Sequence, residues 1–191
     1  MRNINSSRFY TLDKANCIII SVDMQDKILS ATQNCEQTLE KACGIVTIAN
    51  ILKIPVISIS HCVDKMGLVN ERLLNLVDNT MQYTKETFSI FRDPEIEMAI
   101  SETHKDQLVL FGVETHICLV QSALDARELG YNVFVIEDAS SSMREEDKKL
   151  SLDRLRFCGV TVLSAQSVAF ELAEKAGTEE FKQIFKIAKA L

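Results

Sequence analysis

Five apolar runs, each of strand length and none broken by regular polar alternation, limit what this chain can become. They are "CIIISVD" (17–23), "PVISIS" (55–60), "QLVLFGV" (107–113), "NVFVIED" (132–138) and "VTVLS" (160–164). A strand with one face in water alternates apolar and polar residues, whereas a continuous run suits a strand covered on both faces. Segments of helical period separate or follow these runs, at 37–52, 93–103, 116–129, 144–157, 165–175 and 178–190. Gly130 and Gly159 stand just past two of them, where a helix end favours glycine. Strand alternating with helix predicts an α/β protein. The expected form is a three-layer α/β/α, Rossmann-like fold around a mainly parallel central sheet of five or six strands. With 191 residues, 47% of them hydrophobic, the chain is expected to form a single domain over residues 1–191. The stretch 61–92 is the least regular, and loops of that kind in α/β folds often carry function.

Composition narrows the partners. A formal net charge of −6 gives no basic footprint for nucleic acid or for an anionic membrane surface. No apolar segment is long enough to span a bilayer. The opening "MRNINSSRFYTLDKAN" lacks the apolar stretch of a signal peptide, so a cytoplasmic protein is expected. The six cysteines contain no C-x-x-C pair, and they read as reduced thiols rather than as a disulfide framework or a zinc site.

In open parallel sheets, ligands bind beyond the carboxyl ends of the strands. Asp23 ends the first apolar run, and Cys118 falls in the first turn of the helix that follows 107–113. Unpaired N–H groups and the dipole at a helix start favour a thiolate and could receive an oxyanion. From position alone Cys118 reads first as a small core residue, Asp23 evenly as a cap or a general base, and Lys85 first as a solvated surface lysine. His116, two residues from Cys118, does not face it on a helix. His61 follows the second strand and either reaches the same sheet edge or bonds within its loop. Asp138, ahead of "ASSS", reads as a cap. Position alone leaves these alternatives open.

Three motifs carry a resemblance: "IIISVDMQ", "KETFSIF" and "LVLFGVETHICLVQSALDARELGYNVFVIEDASSS". Together they resemble the isochorismatase-like cysteine hydrolase family, from about residue 15 to the C-terminus. The closing "GVTVLSAQSVAFELAEKAGTEEFKQIFKIAKAL" is similar to its isochorismatase-domain-containing branch. The resemblance implies a triad of Asp23, Lys85 and Cys118. Cys118 would attack a carbonyl carbon, Asp23 would take the thiol proton, and Lys85 would hold Asp23 ionised and favour the thiolate. It also implies a non-proline cis peptide between Val113 and Glu114, turning N–H groups, including that of Cys118, toward an oxyanion. Gln25, Phe88, Thr115 and Ile117, neighbours of the triad in sequence, are expected to line a substrate pocket.

Family members that hold a divalent metal use an Asp-x-His pair and a further histidine after the second strand. Here "SISHCVDKMGLVNERL" offers His61 alone, so neither metal nor cofactor is expected. A retained cysteine points to acyl chemistry on an amide, ureido or related carbonyl compound. The expected partners are a small-molecule substrate and further copies of the chain, with no nucleic acid and no membrane. Two other readings keep the same fold: a catalytically quiet binding protein, and a redox-sensing thiol protein.

Overall fold

A computed structural model describes residues 10–191 of the chain. The first nine residues of the opening stretch read above lie outside the described residues. The order of elements is β1 (Cys17–Val22), α1 (Asp26–Leu29), α2 (Cys35–Ile51), β2 (Val56–His61), α3 (Val63–Met66), α4 (Glu71–Leu74), β3 (Gln82–Lys85), α5 (Pro94–Glu102), β4 (Gln107–Gly112), α6 (Val120–Glu128), β5 (Asn132–Ile136), α7 (Glu145–Phe157), β6 (Thr161–Leu163), α8 (Ala165–Ala173) and α9 (Glu179–Ala188). Short 3-10 turns stand at 79–81 and 90–92.

The six strands form one sheet in the order β3-β2-β1-β4-β5-β6, and every neighbouring pair is parallel. The expected α/β/α architecture is therefore present. Alternation along β1 explains the two cores: Cys17 and Ile19 enter one face, while Ile18, Ile20 and Val22 enter the other. The first face packs under α2 and α8, with α9 laid over both through Ile48, Ala169 and Ile184. The second packs under α5, α6 and α7. The C-terminal helix covers its own molecule. Its local start is conventional: Thr178 accepts from the Phe181 N–H at 3.0 Å. Asp138 caps as expected, its Oδ1 accepting from the Ala165 N–H at 2.7 Å.

Two departures from the sequence reading bear on function. The sixth strand, β3, lies within the stretch read as irregular, because "QYTK" is short, polar and largely half-exposed at the sheet edge. The helix expected over 116–129 opens instead as a π-turn over Thr115–Leu119, and regular helix begins only at Val120. Cys118 sits in the wider turn, a feature that recurs at functional sites.

Candidate active site

Parallel pairing brings the carboxyl ends of all six strands to one edge, with the strand order reversing between β1 and β4. Asp23 directly follows β1, and its N–H donates to the Ile59 carbonyl at 3.0 Å. On the other side, Val22 pairs with Gly112. A Cβ at Gly112 would lie 2.0 Å from the Val22 carbonyl oxygen, so only glycine allows this approach. The close contact brings the chain leading to Cys118 alongside Asp23. Further out, register places His61 opposite Lys85 across β2 and β3.

Asp23 is 1% exposed, Lys85 2% and Cys118 5%. The Lys85 ammonium donates to Asp23 Oδ2 at 2.9 Å, to the Thr87 carbonyl at 3.0 Å and meets His61 Nδ1 at 3.4 Å. Its three donors are thus matched by three acceptors. Burial pushes the Asp23 carboxyl above its ordinary range, and Lys85 works against that shift. Burial and then Lys85 hold the His61 imidazole below its usual pKa, which favours the neutral ring. With Nδ1 accepting from Lys85, the proton belongs on Nε2, which lies 3.3 Å from the Cys62 sulfur. Asp23 itself has a left-handed backbone (φ 57°), uncommon for a residue with a side chain and frequent at functional sites.

Asp23 Oδ1 is buried and makes no hydrogen bond of good geometry. Nevertheless the Cys118 thiol is close enough that thiol and carboxylate perturb each other's ionisation. The Cys118 pKa is driven strongly upward, first by burial and then by the Asp23 charge, with Lys85 opposing. Lys85 thus favours the thiolate, in the expected direction, but burial and the Asp23 charge weigh against it. Desolvation and the adjacent carboxylate outweigh the field of Lys85, and the balance favours the thiol over the thiolate.

The expected cis bond between Val113 and Glu114 is absent, all peptide bonds among the described residues being trans. The chain reverses instead through Glu114, in the left-handed region at φ 45° and ψ 70°. The Cys118 N–H donates to the Glu114 carbonyl at 3.2 Å and so does not stand free in the resting turn. The Thr115 N–H and Oγ1 both donate to the Ser141 carbonyl at 3.0 Å, tying this turn to the segment ahead of α7.

Of the residues expected at the substrate, Thr115 is thus fully buried and spent on backbone. Gln25 is buried as well. Its Nε2 donates to the His61 carbonyl at 2.9 Å and to that of Gly67, and its Oε1 accepts from the His61 N–H at 2.7 Å. It clamps the end of β2 to the following loop. Ile117 is half-buried, while Phe88 is 53% exposed and stacks on His61 with ring centroids 5.7 Å apart. A cleft of about 620 Å³ opens beside β3, with Cys62, Asp64, Thr84, Thr87 and Asp93 on its wall. Of the three residues expected to form a triad, Lys85 lines it. His116 faces Glu114 Oε2 at 3.2 Å and Ser142 Oγ at 3.1 Å, away from catalytic use. The place of His61 against Lys85 depended on reading β3 as a strand, and the polar tetrapeptide gave no such signal.

A buried acid, an ammonium and a thiol at the carboxyl edge of a parallel sheet, where its strand order reverses, define an α/β protein with the fold of a hydrolase. The chain belongs to the isochorismatase family: the Isochorismatase domain matches residues 17–167. It is 30% identical over 177 residues to the secreted isochorismatase effector Isc1 of Phytophthora sojae, covering 90% of this chain and 84% of that one. The structure of YcaC from Pseudomonas aeruginosa with hexane-2,5-diol and covalent acrylamide superposes with a TM-score of 0.89 at 23% identity, covering 96% of this chain and 94% of the other. YcaC from Escherichia coli, described as an octameric hydrolase of unknown specificity, also gives 0.89, at 22% identity, with 96% and 93% covered.

Proposed function

We propose that the chain is a metal-independent cysteine hydrolase of small amide, ureido or related carbonyl compounds, acting through Asp23, Lys85 and Cys118 and a covalent acyl-enzyme. One observation carries the reading: Lys85 occupies Asp23 Oδ2 and leaves Oδ1, buried and without a strong partner, as the oxygen available to the Cys118 thiol. A buried acceptor left unmatched costs about 1–3 kcal/mol and calls for a functional account.

In this mechanism the sulfur attacks the carbonyl carbon while its proton passes to Asp23, so a free thiolate need not accumulate. The S–C bond forms as the carbonyl π pair moves to oxygen. The oxyanion is received by N–H groups of the 114–118 turn, with the Cys118 N–H exchanging its 3.2 Å contact for the new acceptor. Collapse breaks the C–N bond, and protonated Asp23 returns its proton to the departing nitrogen. Ionised again, Asp23 activates water to hydrolyse the thioester. Lys85 keeps its contact with Oδ2 throughout and orients the carboxylate. Phe88 and Ile117 are the expected substrate-lining residues that remain partly accessible.

The same proposal takes the chain as a single domain over 1–191, as cytoplasmic and as a homo-oligomer, the last supported by the octameric E. coli relative. Among the described residues no helix is long and apolar enough to cross a membrane, and all six cysteines are free. The test is to incubate the wild type with a panel of primary amides and ureido acids and seek an acyl adduct on Cys118 by peptide mass spectrometry. Turnover is expected to vanish in Cys118→Ala. Hydrolysis that persists in that variant would refute the nucleophile.

A further inference from the structure

The outward face of α7 is unusual for a surface helix. Leu150 is 69% exposed and Phe157 93%, and their spacing of seven residues puts them on one side of the helix. Met143, just before the helix, is 54% exposed. Water thus meets large apolar side chains from one end of α7 to the other, over about 20 Å at 1.5 Å per residue.

The charges on that face suggest what covers it. Glu146 and Asp147 precede Leu150 on its side of the helix, and Asp153 and Arg154 follow it. Asp147 is paired with Arg144 at 2.6 Å and Asp153 with Arg156 at 3.0 Å. Glu146 and Arg154 have no ion-pair partner among the described residues. They are opposite in sign, and each is four residues from Leu150, on opposite sides.

We propose that this face is a two-fold contact between two copies of the chain, α7 packing antiparallel on α7 with the axis at Leu150. An isologous interface must be self-complementary; Glu146 and Arg154 meet that condition, while Asp147 and the partner's Asp153, which the same axis brings opposite, are each neutralised within their own chain by Arg144 and Arg156. The axis places Leu150 on the partner's Leu150, Glu146 opposite the partner's Arg154, and Arg154 opposite the partner's Glu146. A parallel arrangement would set Glu146 on Glu146. Near the end of α7 a hollow of about 340 Å³ is lined by Leu124, Arg127, Glu128, Arg154 and Cys158. The antiparallel axis carries the partner's Met143 over that hollow. One helix pair alone falls short of the roughly 800 Å² per partner found in standard interfaces, so the flanking α6 surface, including the exposed Leu129, belongs to the contact.

Full-length wild type, examined by light scattering and sedimentation over the micromolar range, is expected to be a dimer or an assembly of dimers. Leu150→Glu buries two like charges on the axis and should halve the assembly mass, raising the dissociation constant on the order of a hundredfold. Circular dichroism checks that the variant is folded. Independently of that variant, Glu146→Arg and Arg154→Glu should each weaken association, and their combination should restore it, because the swapped pair is again opposite in sign. A monomeric wild type overturns the proposal. So does a folded Leu150→Glu variant of unchanged mass, or a double reversal no tighter than the single ones.

Discussion

Lys85 Nζ lies 2.9 Å from Asp23 Oδ2, and neither side chain reaches solvent. Two ions without water are tolerable only together, because each supplies what the other lost in hydration. Removing one partner leaves an uncompensated buried charge. Asp23→Asn or Lys85→Met is expected to destabilise the fold by about 3–5 kcal/mol. The double replacement Asp23→Asn with Lys85→Met should cost less than the sum of the two single changes. Urea unfolding of the four proteins measures the coupling, and strict additivity would show that the pair acts as two independent groups.

The order of proton transfer and attack is open to a test of sign. Asp23 raises the Cys118 pKa, so neutralising it as Asp23→Asn brings the thiol closer to ionisation. If attack needed only a preformed thiolate, that variant would react faster with acrylamide. Because Asp23 is proposed to receive the proton, the expected result is slower addition at Cys118, by about 10²–10⁴-fold, typical of losing a positioned base. Peptide mass spectrometry resolves Cys118 from the exposed Cys158, which should be alkylated first in the wild type.

Gly112 predicts a large effect from a single methyl group. Its substitution by alanine sets a Cβ 2.0 Å from the Val22 carbonyl oxygen and must push β4 from β1 next to Asp23. Gly112→Ala should lose several kcal/mol of stability, the range of severe overpacking or strain. Residual folded protein should hydrolyse poorly, since the Asp23–Cys118 alignment depends on this approach. Alanine at the unencumbered Gly67 provides a comparison for crowding, although its positive φ adds conformational cost.

Alkaline stability should report the buried thiols. Burial pushes the Cys17 pKa up to about 12 and drives that of Cys118 upward as well. Above pH 9 the unfolded chain releases these protons while the folded chain retains them. The unfolded state then binds fewer protons, and stability falls as pH rises from about 9 toward 12. The Cys17 shift, from 9.0 to about 12, corresponds to roughly 4 kcal/mol at the upper end. Denaturant titrations at stepped pH should show this loss, and Cys17→Ala should flatten it.

The sheet was legible because burial on both faces leaves a plain mark. Five strands announce themselves as continuous apolar runs, and α7 as a long segment with glycine past its end. β3 left no such mark. At an edge, a strand can be short and polar, so Lys85 was found through its motif rather than its element. Asp23 and Cys118 were readable as residues at the ends of strands. Their ionisation was not, because it depends on how completely the chain closes over them. Gln25 shows the same limit: next to the acid in sequence it resembles a substrate ligand, yet its amide is spent on His61 and Gly67.

The neutral His61 ring, fixed by accepting from Lys85, decides how many protons can circulate at this edge. Lys85 has spent its three donors, and the His61 Nε2 proton points to Cys62. What remains is the Cys118 thiol proton, for which Asp23 is the proposed acceptor. A site with one circulating proton cannot offer acid and base at once, so in the proposed mechanism forming and clearing an acyl group become successive uses of one oxygen atom.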